Sequence, residues 1–301
     1  MITKPTVLIL GAGASIPFGF PSGYDLMRRL CRVSPYADSD SIRVHLASAG
    51  YDARALFDFR QALQRSGRRS VDAFLEHRPD FLGIGKAAIA CALLPFENES
   101  ALFDLDKHRP HWYEYLFDRM DMPVTRFEKN KISIITFNYD RTLEHYLVTA
   151  LANSYKGSAE ECAAAVQKIP IIHVYGSLGD LPLLGQTVVP FGAAPTPETL
   201  ARCSVSLRLM HEGAKDPNPF HEAYVPLMAA EVVCFLGFGY DQMNLTRLRV
   251  REIRAKTVIG SAYGLTAKEC EPIANAFGGR IELDYAAGES LTFLRNHTPL
   301  Y

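Results

Sequence analysis

The stretch that decides the fold is Val7-Leu8-Ile9-Leu10-Gly11-Ala12-Gly13-Ala14-Ser15, close to the beginning of the sequence. Its apolar half has the length and branching of a buried parallel strand. The spacing of apolar residues over 24–30 predicts a helix soon afterwards, with Ser22 as its N-cap. A strand, a glycine turn and a helix in this order allow backbone N–H groups to meet a phosphate, and Gly11 and Gly13 remove side chains that would block the approach. A tight turn without a ligand is the alternative that this stretch leaves open.

The composition is that of an ordinary globular chain. Its 301 residues are 48% hydrophobic and 22% charged, with a formal net charge of −1. This length predicts one large α/β domain, with or without an insertion. The charge balance argues against direct nucleic-acid binding. No run approaches the roughly 18 apolar residues of a membrane span, and no signal peptide precedes the first strand, so we expect a cytoplasmic protein that does not enter the membrane.

The six cysteines do not have the spacing of a structural zinc site. None forms a C-x-x-C pair, and such pairs supply the ligands in most structural zinc modules. Most of the cysteines lie in apolar patterns, which predicts buried free thiols. We therefore expect no metal site.

Further apolar runs predict five more strands, at residues 132–137, 169–176, 232–239, 257–260 and 280–283. Between the first two strands the pattern is helical, with apolar positions three to four apart over 53–66, 71–96 and 102–120. The predicted fold is α/β, a Rossmann-like parallel sheet of about six strands. We expect a single domain over 1–301, in which 1–32 and 131–301 form the Rossmann-like core and 33–130 a helical insertion.

Polar residues follow the second and third strands, at the edge where an open parallel sheet binds its ligands. Asn138 and Asp140 follow the second strand, either as helix caps or as groups that bind a ribose hydroxyl, a water or an amide. His173 lies in the third strand, either as a satisfied core residue or as a base with a pKa near neutrality. Side chains two apart on a strand share a face, so His173 and Tyr175 are expected to point into one site.

The predicted fourth strand ends in a second glycine pair. Gly237 and Gly239 would allow the backbone to approach a ribose or a phosphate, and Asn244 would reach a hydroxyl. The alternative is an ordinary strand-to-helix loop. The recurrence of such residues after four strands favours a ligand site at this edge of the sheet.

These motifs resemble the sirtuins. The sirtuin opening runs Gly-Ala-Gly-x-Ser, three residues, then Gly-Ile-Pro, and residues 11–15 followed by Gly19-Phe20-Pro21 keep that spacing. Thr136-Phe137-Asn138-Tyr139-Asp140 is similar to the sirtuin Thr-Gln-Asn-Ile-Asp. Residues 237–245 resemble the Gly-x-Gly-x-x-Asp/Asn-x-Asn-Leu tract of stand-alone sirtuin-like NAD hydrolases. Together the four matched segments, about a quarter of the chain, look most like the sirtuin-like NADase family of bacterial antiphage defence systems.

The resemblance has three departures. Ser22-Gly23-Tyr24 stands where sirtuins carry Asp-Phe-Arg, and the four zinc cysteines of the deacylating sirtuins are missing. Sirtuins place the catalytic histidine directly before a glycine, and that position is Tyr175 here. The base is therefore assigned to His173, with Tyr175 as the alternative.

What the resemblance implies is hydrolysis of the nicotinamide–ribose bond of NAD, which is then a substrate and not a cofactor. Water would capture an oxocarbenium-like ribose, with His173 as base. The partners implied are NAD and a second copy of the chain or a defence-system protein, with NAD depletion as the outcome of infection. The predicted site consists of Asn138 and His173 for catalysis, and Gly11, Ala12, Gly13, Ala14, Ser15, Phe20, Pro21, Asp140, Tyr175, Gly237, Gly239 and Asn244 for binding.

Three other functions remain open at this point. A non-catalytic NAD or ADP-ribose sensor that oligomerises would bind the same ligand and leave it intact. A deacylase is disfavoured because the zinc cysteines are missing, and an ADP-ribosyltransferase would be detected by transfer of labelled NAD. A dehydrogenase has the least support, because the third glycine and the ribose-binding acid of its fingerprint are absent.

Overall fold

The fold is a six-stranded, all-parallel α/β sheet of Rossmann type, seen in a computed structural model that describes residues 1–32, 40–104, 110–208, 219–297 and 300. The strands are β1 (Thr6–Leu10), β2 (Ile132–Thr136), β3 (Ile171–His173), β4 (Val232–Leu236), β5 (Thr257–Ser261) and β6 (Glu282–Asp284). All six predicted strands are present, and their order is β3-β2-β1-β4-β5-β6. The predicted fold class is therefore confirmed.

β1 is the centre of the sheet and of the core. Leu8 pairs with Ile134 of β2 on one side and with Cys234 of β4 on the other. All five residues of β1 and all five of β4 are buried. Continuous burial of this kind explains why these strands read as unbroken apolar runs, since a parallel sheet is covered on both faces.

Helices lie between successive strands of the sheet and after the last strand. They are α1 (Gly23–Cys31), α2 (Ser41–Ser48), α3 (Ala53–Arg65), α4 (Val71–Leu75), α5 (Leu82–Leu93), α6 (Ser100–Phe103), α7 (Trp112–Met120), α8 (Thr142–Ser154), α9 (Ala159–Gln167), α10 (Pro197–Ser206), α11 (Pro219–Ala229), α12 (Gln242–Arg247), α13 (Ala267–Ala276) and α14 (Ser290–His297). The Ser22 side chain caps α1 by accepting from the backbone N–H of Asp25, as predicted.

The helical insertion lies between β1 and β2 in the chain, where it was predicted, and contains α2 to α7. Its residues 33–39 and 105–109 lie outside the described residues. The helical pattern over 71–96 is divided into two helices: α4 ends at Leu75, and α5 begins at Leu82 after a short 3-10 segment at Pro79–Phe81. Pro79 explains the division, because a proline disfavours helical geometry at the residue that precedes it. That residue, Arg78, has φ −132° and ψ 69°, outside the helical region.

Among the described residues, one segment, Pro79–Phe96, has the length and apolar composition of a membrane span. Most of it is buried inside the fold, where α5 packs against α1, α2 and α10. The segment is therefore a core helix, and this finding is consistent with a soluble protein.

A buried ion pair joins the insertion to the core. Arg141, just before α8, donates through Nε to Oε1 of Glu97 at 3.0 Å, and both side chains are almost inaccessible. The same guanidinium also donates to backbone carbonyls of the segment 179–190, including that of Val189. It thereby fixes the segment that follows β3 against the insertion.

Candidate functional site

The strand order places a topological switch point between β1 and β4. The chain runs outward from β1 through β2 to β3, and then crosses to β4 on the other side of β1. In open parallel sheets, ligands bind outside the carboxyl ends of the strands at such a switch point. The loops that leave β1 and β4 here are the two predicted glycine motifs.

The glycines of these two loops are required because the loops touch each other. Gly11 N donates to Leu236 O at 3.0 Å, and Gly13 N donates to Gly237 O at 2.9 Å. A Cβ on Gly11 would lie 2.5 Å from Gly237 O, and one on Gly237, whose φ is +59°, would lie 2.1 Å from Ala14 N. Backbone packing thus explains Gly11, Gly13 and Gly237, whereas the sequence suggested the approach of a phosphate. Gly239 faces open space.

The predicted phosphate-binding amides are engaged within the protein. Besides the two contacts to the β4 loop, Ala14 N donates to Gly11 O at 2.9 Å and Ser15 N donates to Ala12 O at 3.1 Å. Binding of a diphosphate by Gly11, Gly13, Ala14 and Ser15 would have to share or replace these hydrogen bonds. It stays a prediction.

Residues of the insertion contact the loop that follows β1 and hold it in place. The buried indole of Trp112 donates from Nε1 to Ala14 O at 2.8 Å. Phe20 is buried and packs on Phe96, with ring centroids 5.8 Å apart, and Pro21 is partly exposed. The insertion therefore sets the position of the loop that the sequence analysis assigns to the diphosphate of NAD.

The structure brings four of the predicted site residues into one hydrogen-bonded group. Asn138 Nδ2 donates to Gly11 O at 2.9 Å and to Ser15 Oγ at 3.0 Å. Ser15 Oγ in turn donates to Asp140 Oδ2 at 2.8 Å. Ser15, Asn138, Asp140 and His173 line a small cavity at the carboxyl edge, together with Glu144, Thr136 and Tyr113.

His173 has both ring nitrogens engaged. Nδ1 lies 2.9 Å from the backbone oxygen of Asn138, and Nε2 lies 2.6 Å from Oε1 of Glu144. The side chains of His173 and Glu144 are 13% and 14% exposed, so this pair is largely sequestered from water. We call Ser15, Asn138, Asp140, Glu144 and His173 the cavity network.

Burial and hydrogen bonding act in opposite directions on the pKa values of the groups around the cavity. Burial alone would lower the pKa of His173, but the charge and hydrogen bond of Glu144 dominate and raise it above its ordinary value. Burial raises the pKa of Asp140, although Thr142 and Ser15 donate to its carboxylate. Burial also raises the pKa of Tyr113, which lines the same cavity from α7, well above its ordinary value.

Tyr175 does not share the site of His173, contrary to the prediction. β3 ends at His173, and the chain then turns, with Gly176 N donating to His173 O at 3.1 Å. The alternation of side chains that holds along a strand therefore no longer applies at Tyr175. Its hydroxyl donates to Asn244 Oδ1 at 2.6 Å and accepts from Arg247 Nη1 at 2.7 Å.

Tyr175 belongs to a second network, which joins the core to α4 of the insertion. Arg247 Nη1 also donates to Glu76 Oε1 at 2.8 Å, and the Tyr139 hydroxyl donates to Asp72 Oδ1. Burial raises the pKa of Asp72 to about 7, with a further contribution from the nearby charge of Glu76. We call the six residues of these contacts the insertion network: Asp72, Glu76, Tyr139, Tyr175, Asn244 and Arg247.

Sequence reasoning missed Glu144 and Arg247. It also missed Asp72 of α4 and Glu76, which directly follows α4. Glu144 lies in the first turn of α8, where an acid is common because it complements the helix dipole. Its partner His173 comes 29 positions later, so local sequence gave no reason to pair them. Arg247 read as one cation of an Arg-rich helix. A group of three or more His, Cys, Asp or Glu that could hold a metal is not found among the described residues.

A search against protein-family models finds no match to this chain, and a search of curated proteins finds none either.

Proposed function

We propose that this chain hydrolyses the bond between nicotinamide and ribose in NAD, giving nicotinamide and ADP-ribose. The observation that carries the proposal is the cavity network at the carboxyl ends of β1, β2 and β3. Five polar side chains from the loops after β1 and β2, the first turn of α8 and the end of β3 converge there. The motif resemblance to sirtuin-like NADases provides the choice of substrate.

The network has the groups that this hydrolysis needs. Departure of nicotinamide leaves positive charge on the ribose, which the carboxylates of Asp140 and Glu144 would stabilise. The Asn138 amide would hold a ribose hydroxyl or the attacking water. The proton of that water passes to the hydrogen-bonded pair of Glu144 and His173.

The wider role is proposed from the resemblance. We place the activity in the cytoplasm and assign it to antiphage defence, in which depletion of NAD halts the infected cell. A second copy of this chain or a defence-system protein would activate it. Engagement of the glycine-loop amides within the protein supports a resting state that has to open before NAD binds.

The test is incubation of the purified protein with NAD and separation of the products by chromatography. We expect release of nicotinamide and ADP-ribose, reduced about a hundredfold or more by Asn138→Ala, because the substitution removes an oriented amide from the reacting centre. Asn153→Ala is the matched control, since Asn153 is exposed on α8 and bonds only to Thr149 O of its own helix.

The alternatives give other outcomes in the same assay. Tight binding of NAD without release, unaffected by His173→Ala, would favour a sensor that oligomerises. Transfer of label from NAD to protein would indicate an ADP-ribosyltransferase. If the protein neither binds NAD nor releases nicotinamide from it, the proposal is overturned.

A further inference from the structure

We propose that Glu144 accepts the proton of the attacking water and that His173 is a positioning residue, which holds the Glu144 carboxylate in place. This inference rests on the proposed function and assigns the base within it. The sequence assigned that role to His173.

The first step of the argument is the state of the His173 ring. A backbone carbonyl oxygen only accepts hydrogen bonds, so Nδ1, 2.9 Å from Asn138 O, must carry a proton. Nε2 is 2.6 Å from a carboxylate oxygen of Glu144 and therefore also donates, unless the carboxylate itself is protonated. In either case His173 has no lone pair directed at a substrate.

The second step concerns the two oxygens of Glu144. Oε1 accepts from His173, whereas in the described part of the chain no hydrogen bond engages Oε2. Glu144 also lines the cavity with Asn138 and Asp140. Its carboxylate is thus fixed by one oxygen and has the other available to a water held by the same cavity.

The third step is the charge around the pair. His173 faces Glu144 of α8 and Asp140 of the loop after β2, and Tyr113 of α7 lines the same cavity. Positive charge on the His173 ring is stabilised by the Glu144 carboxyl group that it contacts and by nearby Asp140. Histidine in this arrangement serves better as a fixed cation than as a base.

The reaction step then balances as follows. The water oxygen forms a bond to the anomeric carbon while the carbon–nitrogen bond to nicotinamide breaks, and its electron pair leaves with neutral nicotinamide. The water O–H bond breaks, and its proton passes to Oε2 of Glu144. His173 keeps both of its protons throughout.

The experiment compares Glu144→Gln with His173→Gln in nicotinamide release from NAD, over a range of pH. We expect Glu144→Gln to lower kcat at least a hundredfold with little change in KM, the usual cost of losing a general base. His173→Gln, which keeps an N–H donor to Glu144, should lose about tenfold and shift the acidic limb of the kcat profile. Glu160→Gln, an exposed change on the neighbouring helix α9, is the control.

A second readout, ¹⁵N NMR of the His173 ring, does not depend on activity. We expect both nitrogens protonated at pH 7 in the wild-type protein and a lower titration midpoint in Glu144→Gln. A neutral ring with an unprotonated Nε2, or full activity of Glu144→Gln, overturns the assignment. If wild-type protein binds NAD without release while the ring is doubly protonated, the proposed function fails, and with it the role of Glu144, although the ion pair stands.

Discussion

The cavity network and the insertion network lie at the same edge of the sheet but are assembled from different parts of the chain. The cavity network takes its five side chains from the core alone, through the loops after β1 and β2, the start of α8 and the end of β3. The insertion network needs Asp72 of α4 and Glu76, directly after α4, in addition to core residues. Residues 138–140 serve both, because Asn138 and Asp140 face the cavity while Tyr139 bonds to α4.

This difference indicates a division of labour. The core supplies every side chain of the cavity network, with Trp112 and Tyr113 of α7 supporting the β1 loop and the cavity, whereas the insertion network exists only while α4 is docked. Substitutions should therefore separate chemistry from docking, and four predictions test that separation.

The largest loss of stability is expected at the contact between the two glycine loops. The loop after β1 leads to Ser15 of the cavity network, and the loop after β4 leads to Asn244 of the insertion network. Gly237→Ala would place a Cβ 2.1 Å from Ala14 N at a φ of +59°. A strained φ and an overpacked contact each cost about 1 to 3 kcal/mol, so we expect a loss of about 4 kcal/mol in the free energy of unfolding. Urea denaturation measures it. Gly239→Ala, with nothing near its Cβ, should unfold like the wild type, and an equal loss there would show that the contact is unimportant.

The next effect concerns the insertion network alone. Arg247→Met removes the cation from Glu76, whose side chain is 10% exposed, and leaves that carboxylate without its partner. We expect a loss of about 2 kcal/mol and faster hydrogen exchange in α4, with Asn138 unaffected. Arg251→Met, at an exposed position, is the control. Exchange that rises equally in the cavity network would contradict the separation.

The third prediction concerns the pH dependence of stability that Asp72 of the insertion network causes. Because the pKa of Asp72 is raised to about 7, the folded protein binds a proton more tightly than the unfolded chain. Its contribution to stability is complete below about pH 4 and is lost as pH rises through about 7. Asp72→Asn, which keeps an acceptor for Tyr139, should remove on the order of 1 to 2 kcal/mol of the decline between pH 6 and 8. Thermal denaturation at each pH measures the difference between the two proteins, which cancels the similar slope of His173.

The smallest effect is expected at the cap of α4. The Ser70 side chain accepts from Ala73 N at 3.2 Å, and loss of such a cap costs about 1 kcal/mol. Ser70→Ala should therefore loosen α4 and leave NAD hydrolysis unchanged. Ser158→Ala removes a comparable cap from α9, so only Ser70→Ala should raise exchange at Asp72 and Glu76.

The sheet was predictable because each strand is specified within itself. Runs such as residues 232–236 are apolar throughout, and a parallel strand that is buried on both faces requires no more than that. Caps were predictable for the same reason, since Ser22 and the backbone N–H of Asp25 that donates to it are three residues apart. The end of β3 was not predictable, because the apolar run continues through Val174 and Tyr175 while the backbone turns.

The candidate site was predictable in position but not in its pairing. Asn138, Asp140 and Ser15 converge as the topology requires, since carboxyl ends of parallel strands meet at one edge. The partner of His173 was missed because contacts across 29 residues leave no local pattern. The packing role of Gly11 was missed because its neighbour, Gly237, lies in a loop that folds onto it from far along the chain.

The central position of β1 also has a consequence for how the protein is made. β1 is synthesised early, yet Thr6 pairs with Ile132 on one side and with Val232 on the other. At about 5 to 20 residues per second, roughly 10 to 45 seconds separate the emergence of β1 from that of β4. During this interval a strand that is apolar at four of its five positions has an unpaired edge, so we expect nascent chains that stop before residue 232 to aggregate or to be held by chaperones.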